Sequence, residues 1–300
     1  MRLRKIPIDF LWEGLELSGD IYNDRGSVLL LKRGEVLTQD RLDKLSKFER
    51  GGYITTSEET YQEILNSGKA PRAALQRVYE EAVGYTALKN DVDSIFSVTR
   101  NASEINMEAT ETVTKDIFTK IKVLDFPKIF QCIDAPREMD ENLQRHSLNV
   151  AFTNGVIGQW LKLPEPVIKK LVCAGLVHDI GKTKELSLFP QNDYTNDGQL
   201  LGHIMIGAEM VHDAAQKIDG FPQELENQLK HCILAHHGEL EYGSPKKPAM
   251  VEAVALNLAD NADAKMETLT ELFDAAPAGN EWLGYNRFFE SNIRRTGDFS

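Results

Sequence analysis

The pentapeptide His178-Asp179-Ile180-Gly181-Lys182 constrains this chain more than any other segment. An imidazole and a carboxylate on adjacent residues can each ligate a cation, or share one. The glycine that follows ends a helix and lets the backbone turn around the ions. A His-Asp dipeptide alone carries little weight, because it arises often by chance. Here it stands inside an ordered series, with His146 before it and His203, the doublet His236-His237 and Asp260 after it. The series takes up five of the chain's seven histidines.

Helical spacing surrounds these residues. Met139, Leu143, His146 and Val150 fall at i, i+4, i+7 and i+11, which puts His146 on an apolar stripe. Ile168, Leu171, Gly175 and His178 repeat the arrangement after Pro164 and Pro166, residues suited to a helix start. Leu225, Leu229, Ile233 and His236 do so again. One inward histidine is ordinary core chemistry; three on separate helices, joined by two aspartates, indicate a metal site. His231, five residues before His236, lies about 500° round the helix and points elsewhere. His212 reads as a surface or packing histidine.

The expected fold is mainly α: an all-helical domain over residues 116–300, preceded by a small β-rich module over 1–56 and a helical connector over 57–115. In the module, Ile21-Tyr22 and Val28 to Leu31 are short β-type runs separated by the turn signal Asn23-Asp24-Arg25-Gly26. Thr38 is placed to cap a helix from Gln39 to Phe48, Gly51-Gly52 stops it, and Tyr53 to Thr56 returns as a strand. The connector reads as long polar helices whose packing face is loosely marked by Ile95, Val98 and Ile105. Pro127 and Pro136 punctuate the entry to the second half. The module suits folding, homodimer formation or regulation.

Composition bounds the partners. With 34 basic and 46 acidic residues the net charge is -12, which argues against broad binding to duplex nucleic acid. A small phosphate substrate stays compatible, because bound cations invert the field locally. Cys132, Cys173 and Cys232 form no close pair and read as buried reduced thiols of a cytoplasmic protein. No apolar run approaches the roughly 18 residues that span a bilayer, so no membrane partner is expected.

Five imidazoles and two carboxylates without thiolates favour Mn²⁺, Fe²⁺, Mg²⁺, Co²⁺, Ni²⁺ or Zn²⁺. They exceed what one ion needs. Two divalent ions about 3.5–4 Å apart would use them economically, with Asp179 as the bridging carboxylate, and would activate water against a phosphate ester. Lys182 is placed to hold a non-bridging phosphate oxygen, and Gly207 to allow close packing or substrate approach. Asp263, one turn past Asp260, is placed to orient a ligand from behind.

These residues resemble the HD superfamily of metal-dependent phosphohydrolases, from about Asp116 to the end and most closely over His146 to Lys265. Two branches are similar in different places. Arg145 to Ala151, His178 to Lys182, His203 with Gly207, the His doublet, and Asp260 with Asp263-Ala264 follow the order of the HD-GYP cyclic dinucleotide phosphodiesterases. The front stretch resembles a module that often precedes them, in Ile6-Pro7-Ile8-Asp9, Asp20 to Asp24 and Leu31 to Thr38. After the doublet that branch has an Asp-Gly-x-Gly-Tyr-Pro loop, where this chain has Gly238-Glu-Leu-Glu-Tyr-Gly-Ser-Pro245. Asn142 also stands where a carboxylate would favour a third metal. Gly198 to Ile204, Leu229 to Gly238, Tyr242 to Lys246 and Ala259 to Met266 look closer to the HD domain of YhaM-type 3′→5′ exoribonucleases. His231 belongs to that pattern, which implies a supporting role for it.

The resemblance implies a phosphodiesterase acting on a cyclic dinucleotide or another small nucleotide phosphodiester. The alternative is a single-strand exoribonuclease, with single-stranded RNA as the partner. A non-catalytic nucleotide-sensing module is the contrasting class, and it would be expected to have lost ligands. No residue of the sequence identifies itself as the proton donor to the leaving group.

Overall fold

A computed structural model describes residues 3–48, 52–67, 84–102, 104–123, 142–188, 193–277 and 280–295. The chain divides into two compact units, Met1–Tyr85 and Thr86–Ser300. Pro127, Cys132, Pro136, Met139 and Gly51 lie outside the described residues, as does the side chain of Asn142.

The first unit is a four-stranded antiparallel sheet in the order β1-β4-β2-β3: β1 Leu3–Pro7, β2 Ile21–Tyr22, β3 Leu29–Leu31, β4 Tyr53–Ser57. The expected turn joins β2 to β3. Asn23 Oδ1 accepts from the backbone N–H of Ser27 at 2.7 Å and of Val28 at 3.0 Å, the Asx geometry that gives asparagine its turn preference. Helix α1 covers Gln39–Phe48, and Thr38 occupies the cap position, its carbonyl accepting from Arg41 and Leu42. Helix α2, Glu58–Asn66, is capped by the Ser57 hydroxyl. Ile6, Phe10, Leu17, Ile21, Leu37 and Ile54 fill the core between them. Strand β1 was not expected. It is an edge strand with Pro7 at its end and basic residues facing solvent, features that mask strand alternation while protecting a sheet edge.

The second unit is helical through Ala275. Its helices are α3 Tyr85–Ala102, α4 Met107–Val123, α5 Asn142–Trp160, α6 Glu165–Val177, α7 Asn196–Gln216, α8 Gln223–Ala235 and α9 Val251–Ala275. Helix α6 is the central element, packed by α4, α5, α8 and α9. Ile168, Leu171, Val172, Leu176 and Val177 bury almost its whole circumference, as expected of a helix that is apolar all round. A buried rod of this kind delivers its C-terminal residues, His178 and Asp179, to the interior.

Helix α4 is less polar in practice than its sequence suggests. Val113, Ile117, Phe118 and Ile121 are buried against α5 and α6. Along α3 the buried stripe is Leu88, Val92, Ile95 and Phe96, while Val98 faces solvent. After α9 the helical pattern stops, and β5 (Trp282–Asn286) pairs with β6 (Ser291–Arg294) as an antiparallel hairpin. No helix among the described residues is long and apolar enough to cross a membrane.

Ile117 is fully buried, so Ile117→Ala should remove about 2–5 kcal/mol of stability, the usual cost of a core cavity. The fall in the urea midpoint of the helical transition measures it. A change within about 0.5 kcal/mol would mean that α4 behaves as a surface segment.

Candidate metal centre

Asp179 is the hub of the site. Its carboxylate is 1% exposed, and its two oxygens face two sets of imidazoles. Oδ2 lies 3.6 Å from His146 Nε2 and 3.6 Å from His178 Nε2. Oδ1 lies 3.4 Å from His203 Nε2 and 3.7 Å from His236 Nε2. Asp260 Oδ1 closes the first set, 3.1 Å from His146 Nε2 and 3.8 Å from His178 Nε2. His237 closes the second, its ring 4.3 Å from that of His236 and 5.2 Å from that of His203. Among the described residues three groups thus have donor atoms close enough to hold an ion: His146-His178-Asp260, His178-Asp179-His236 and His203-His236-His237.

Each imidazole is aimed by its other nitrogen. His178 caps α6 and folds Nδ1 back to donate to the Gly175 carbonyl at 2.8 Å. His236 caps α8 and does the same to the Ile233 carbonyl at 2.6 Å. His237 Nδ1 donates to the Tyr242 carbonyl at 2.7 Å. His146 Nδ1 meets Asp263 Oδ2 at 2.6 Å, and Asn149 Nδ2 fixes the other oxygen of that carboxylate at 2.9 Å. His203 Nδ1 meets Glu185 Oε1 at 3.1 Å. Carbonyls and carboxylates only accept, so all five rings carry a proton on Nδ1 and direct Nε2 into the cluster.

The backbone is shaped to the same end. Gly202 takes φ 72 and ψ 157, breaking α7 one residue before His203. The His203 N–H freed by that break is taken up by Glu185 Oε1 at 2.9 Å, so one carboxylate serves both backbone and ring. Glu185 itself sits in a helical turn, Lys182–Glu185, directly after the His-Asp pair. At Gly181 a Cβ would run into the His203 carbonyl, so only glycine lets α7 come this close. Gly207 is buried against Gly181 and Ile233, in the packing of this same approach.

Electrostatics match a cation site. Burial drives His178 down to about 4 and also lowers His203 and His237, leaving neutral rings. Burial opposes charge on His146 too, but the hydrogen bonds to Asp260 and Asp263 prevail and raise it to about 10. Burial pushes against ionised Asp179, yet Lys182 and His178 hold it well below the ordinary carboxylate range. Asp179 Oδ1, His203 Nε2 and His236 Nε2 are buried and have no hydrogen-bond partner among the described residues. Three converging acceptors without a donor repel one another, and a cation among them removes the conflict. That is the observation showing that the donor set fits a metal.

Lys182 Nζ lies 2.6 Å from Asp179 Oδ2 and is part-exposed. His231 stands apart, its Nε2 accepting from the Ala249 N–H at 3.0 Å just ahead of α9, so it anchors that helix start. His212 pairs with Glu226 at 2.7 Å on the surface. The sequence pattern did not single out Glu185, Asn149 or Asn257, whose Nδ2 donates to the His236 carbonyl at 2.8 Å. Cys173 and Cys232 are free, and burial raises the Cys232 thiol to about 12, so neither competes as a ligand.

Glu185→Ala removes the group that aims His203 and should weaken Mn²⁺ binding roughly 10–100-fold, while His212→Ala leaves it unchanged. Calorimetric titration of the metal-free protein measures both. Binding should also release protons, because His146 is charged before the metal arrives and must give up its Nε2 proton. Repeating the titration in buffers of different ionisation enthalpy counts them.

Residues 143–265 match the HD domain family. Over 112 residues the chain is 41% identical to the 3'-5' exoribonuclease YhaM of Shouchella clausii (strain KSM-K16), covering 37% of this chain and 35% of that protein. The YhaM of Bacillus velezensis (strain DSM 23117 / BGSC 10A6 / LMG 26770 / FZB42) is 42% identical over 112 residues, with 37% and 35% covered. The matched region is about a third of the length of these curated relatives. Among solved structures, Bd1817, an HDG"Y"P protein from Bdellovibrio bacteriovorus, aligns over 87% of each chain at 16% identity, with a TM-score of 0.42 that bears on neither fold nor function. The matched segment, residues 143–265, contains every member of the His/Asp cluster.

Proposed function

We propose that this chain is a divalent-metal-dependent phosphodiesterase that shortens single-stranded RNA from its 3′ end. The observation that carries it is the Asp179 carboxylate, one oxygen facing His146 and His178 and the other facing His203 and His236. A carboxylate facing two sets of imidazoles could serve as a ligand to two ions. His146, His178 and Asp260 would hold one ion, and His203, His236 and His237 the other. Divalent ions supply a nucleophile from water near neutral pH and take up charge on a phosphoryl oxygen.

The chain's own groups do the positioning. Asp263, Glu185 and three backbone carbonyls keep the imidazole Nε2 atoms convergent. Lys182 is a part-exposed cation at the edge of the cluster, able to leave Asp179 for a non-bridging phosphate oxygen.

The choice of RNA reverses the order weighed from the sequence, where a cyclic dinucleotide stood first. The sequence favours the cyclic dinucleotide through the resemblance of its front module, which is short for an oligonucleotide-binding barrel, and through the net charge of -12. What supports RNA is the identity of 41% over 112 residues to a YhaM exoribonuclease. The loop after the doublet also lacks Gly-Tyr-Pro; its Leu240–Tyr242 turn serves to hold His237 through the Tyr242 carbonyl.

The test is incubation of Mn²⁺-loaded protein with a 5′-labelled single-stranded oligoribonucleotide and, separately, with cyclic di-GMP. The reading expects a ladder shortening from the 3′ end and intact cyclic dinucleotide. Chelation should stop the reaction and Mn²⁺ restore it, while Asp179→Asn should lower turnover at least roughly 100-fold. Cleavage of cyclic di-GMP with intact RNA would reinstate the first ranking. Nucleotide binding without turnover would mark a sensing module.

A further inference from the structure

A cavity of about 370 Å³ opens directly onto the cluster, lined by His237 and Asp260 at one end and by Tyr242, Asn257, Asn261, Ala264, Lys265 and Phe288 beyond. Five of these residues come from one helix. Asn257, Asp260, Asn261, Ala264 and Lys265 fall at i, i+3, i+4, i+7 and i+8 of α9, a single face. That face carries two amides, the candidate ligand Asp260, a gap left by the small Ala264, and an exposed ammonium.

Two aromatic rings border the same space from different elements. Tyr242 comes from the turn after the His doublet and is 63% exposed, and Phe288 comes from the hairpin end and is 51% exposed. Exposed aromatic rings beside this cavity are costly to leave facing water and are not needed for the core. Trp282 and Tyr285, also exposed, extend the aromatic surface along the hairpin, with Arg287 exposed beside them and Arg294 over the Trp282 ring and paired with Glu281. Aromatic residues alternating with basic ones are the composition of a platform for single-stranded nucleic acid, where rings stack on bases and cations follow the backbone.

We infer that this cavity seats the terminal nucleotide of single-stranded RNA, with its base against Tyr242 and Phe288 and its backbone phosphate approached by Lys265. The volume lies within the range of pockets that enclose a small ligand. Asn257 and Asn261 offer amide groups for base edges or ribose hydroxyls. The hairpin then carries the preceding nucleotides away from the metal centre. This assignment rests on the proposed RNA reading, but it is tested by binding, which does not require turnover.

The experiment is fluorescence anisotropy of a labelled single-stranded oligoribonucleotide with a free 3′-hydroxyl, titrated with full-length protein in Ca²⁺. Phe288→Ala and Tyr242→Ala should each weaken binding roughly tenfold or more through lost stacking. Phe288→Trp should restore it, Phe288→Leu should not, and bound metal should stay at the wild-type stoichiometry in all four. Removing the 3′-terminal base from the probe should cost the wild type as much as Phe288→Ala does, and cost that variant little more. Equal binding by wild type and Phe288→Ala overturns the assignment. So does tight binding of cyclic di-GMP with none of the oligoribonucleotide. If RNA binds as described but is never cleaved, the hydrolase reading fails and the binding site stands.

Discussion

A buried carboxylate surrounded by imidazole lone pairs is the interaction on which the second unit depends. Asp179 Oδ1 faces two acceptors and, among the described residues, no donor. Leaving such atoms unpaired costs roughly 1–3 kcal/mol each, so the domain holds an unfavourable grouping in place by the strength of its surroundings. Helix α6 supplies much of that strength. It is buried by four neighbouring helices and ends where the cluster begins. A divalent ion bound there would turn the same grouping from a cost into a contribution, because ion binding stabilises the state that already holds the donors together.

The structure reaches convergence by repeating one device. His178 and His236 both sit just past the end of a helix, and both donate Nδ1 to the carbonyl three residues earlier. A helix C-terminus has unpaired carbonyls in any case. Here they orient ligands, so the end of the helix and the aim of the ring are settled together. His203 needs another route because it lies within α7, and the break at Gly202 with Glu185 beneath it provides one. An acidic protein of net charge -12 can still attract a polyanion through such a site. On the proposed reading, the charges that would matter are local: any bound cations, Lys182, Lys265 and the exposed Arg287.

Much of this was legible in the sequence because it is periodic. His146, His178 and His236 sit on apolar stripes, and three inward histidines on separate helices point to a shared site where one would not. The bounds of α1 and the turn after β2 followed from capping and Asx chemistry that is local by nature. The place of Asp179 among the imidazoles followed from its adjacency to His178 at a helix end. Glu185 was not legible. An isolated glutamate in a polar stretch becomes a partner of His203 only after α7 is folded against it, a contact across 18 residues. The hairpin was hidden for a different reason: Gly284, with φ 90, interrupts the alternation that marks a strand. The burial of α4 was missed because threonines and lysines dilute its apolar stripe.

The central claim, that Asp179 is shared between two divalent ions, is tested most directly by low-temperature electron paramagnetic resonance of protein loaded with two equivalents of Mn²⁺. A carboxylate-bridged pair predicts a multiline spectrum from two exchange-coupled ions, replaced by a simple six-line pattern in Asp179→Asn. A six-line spectrum of isolated ions in the wild type, or no bound ion at all, would contradict the account.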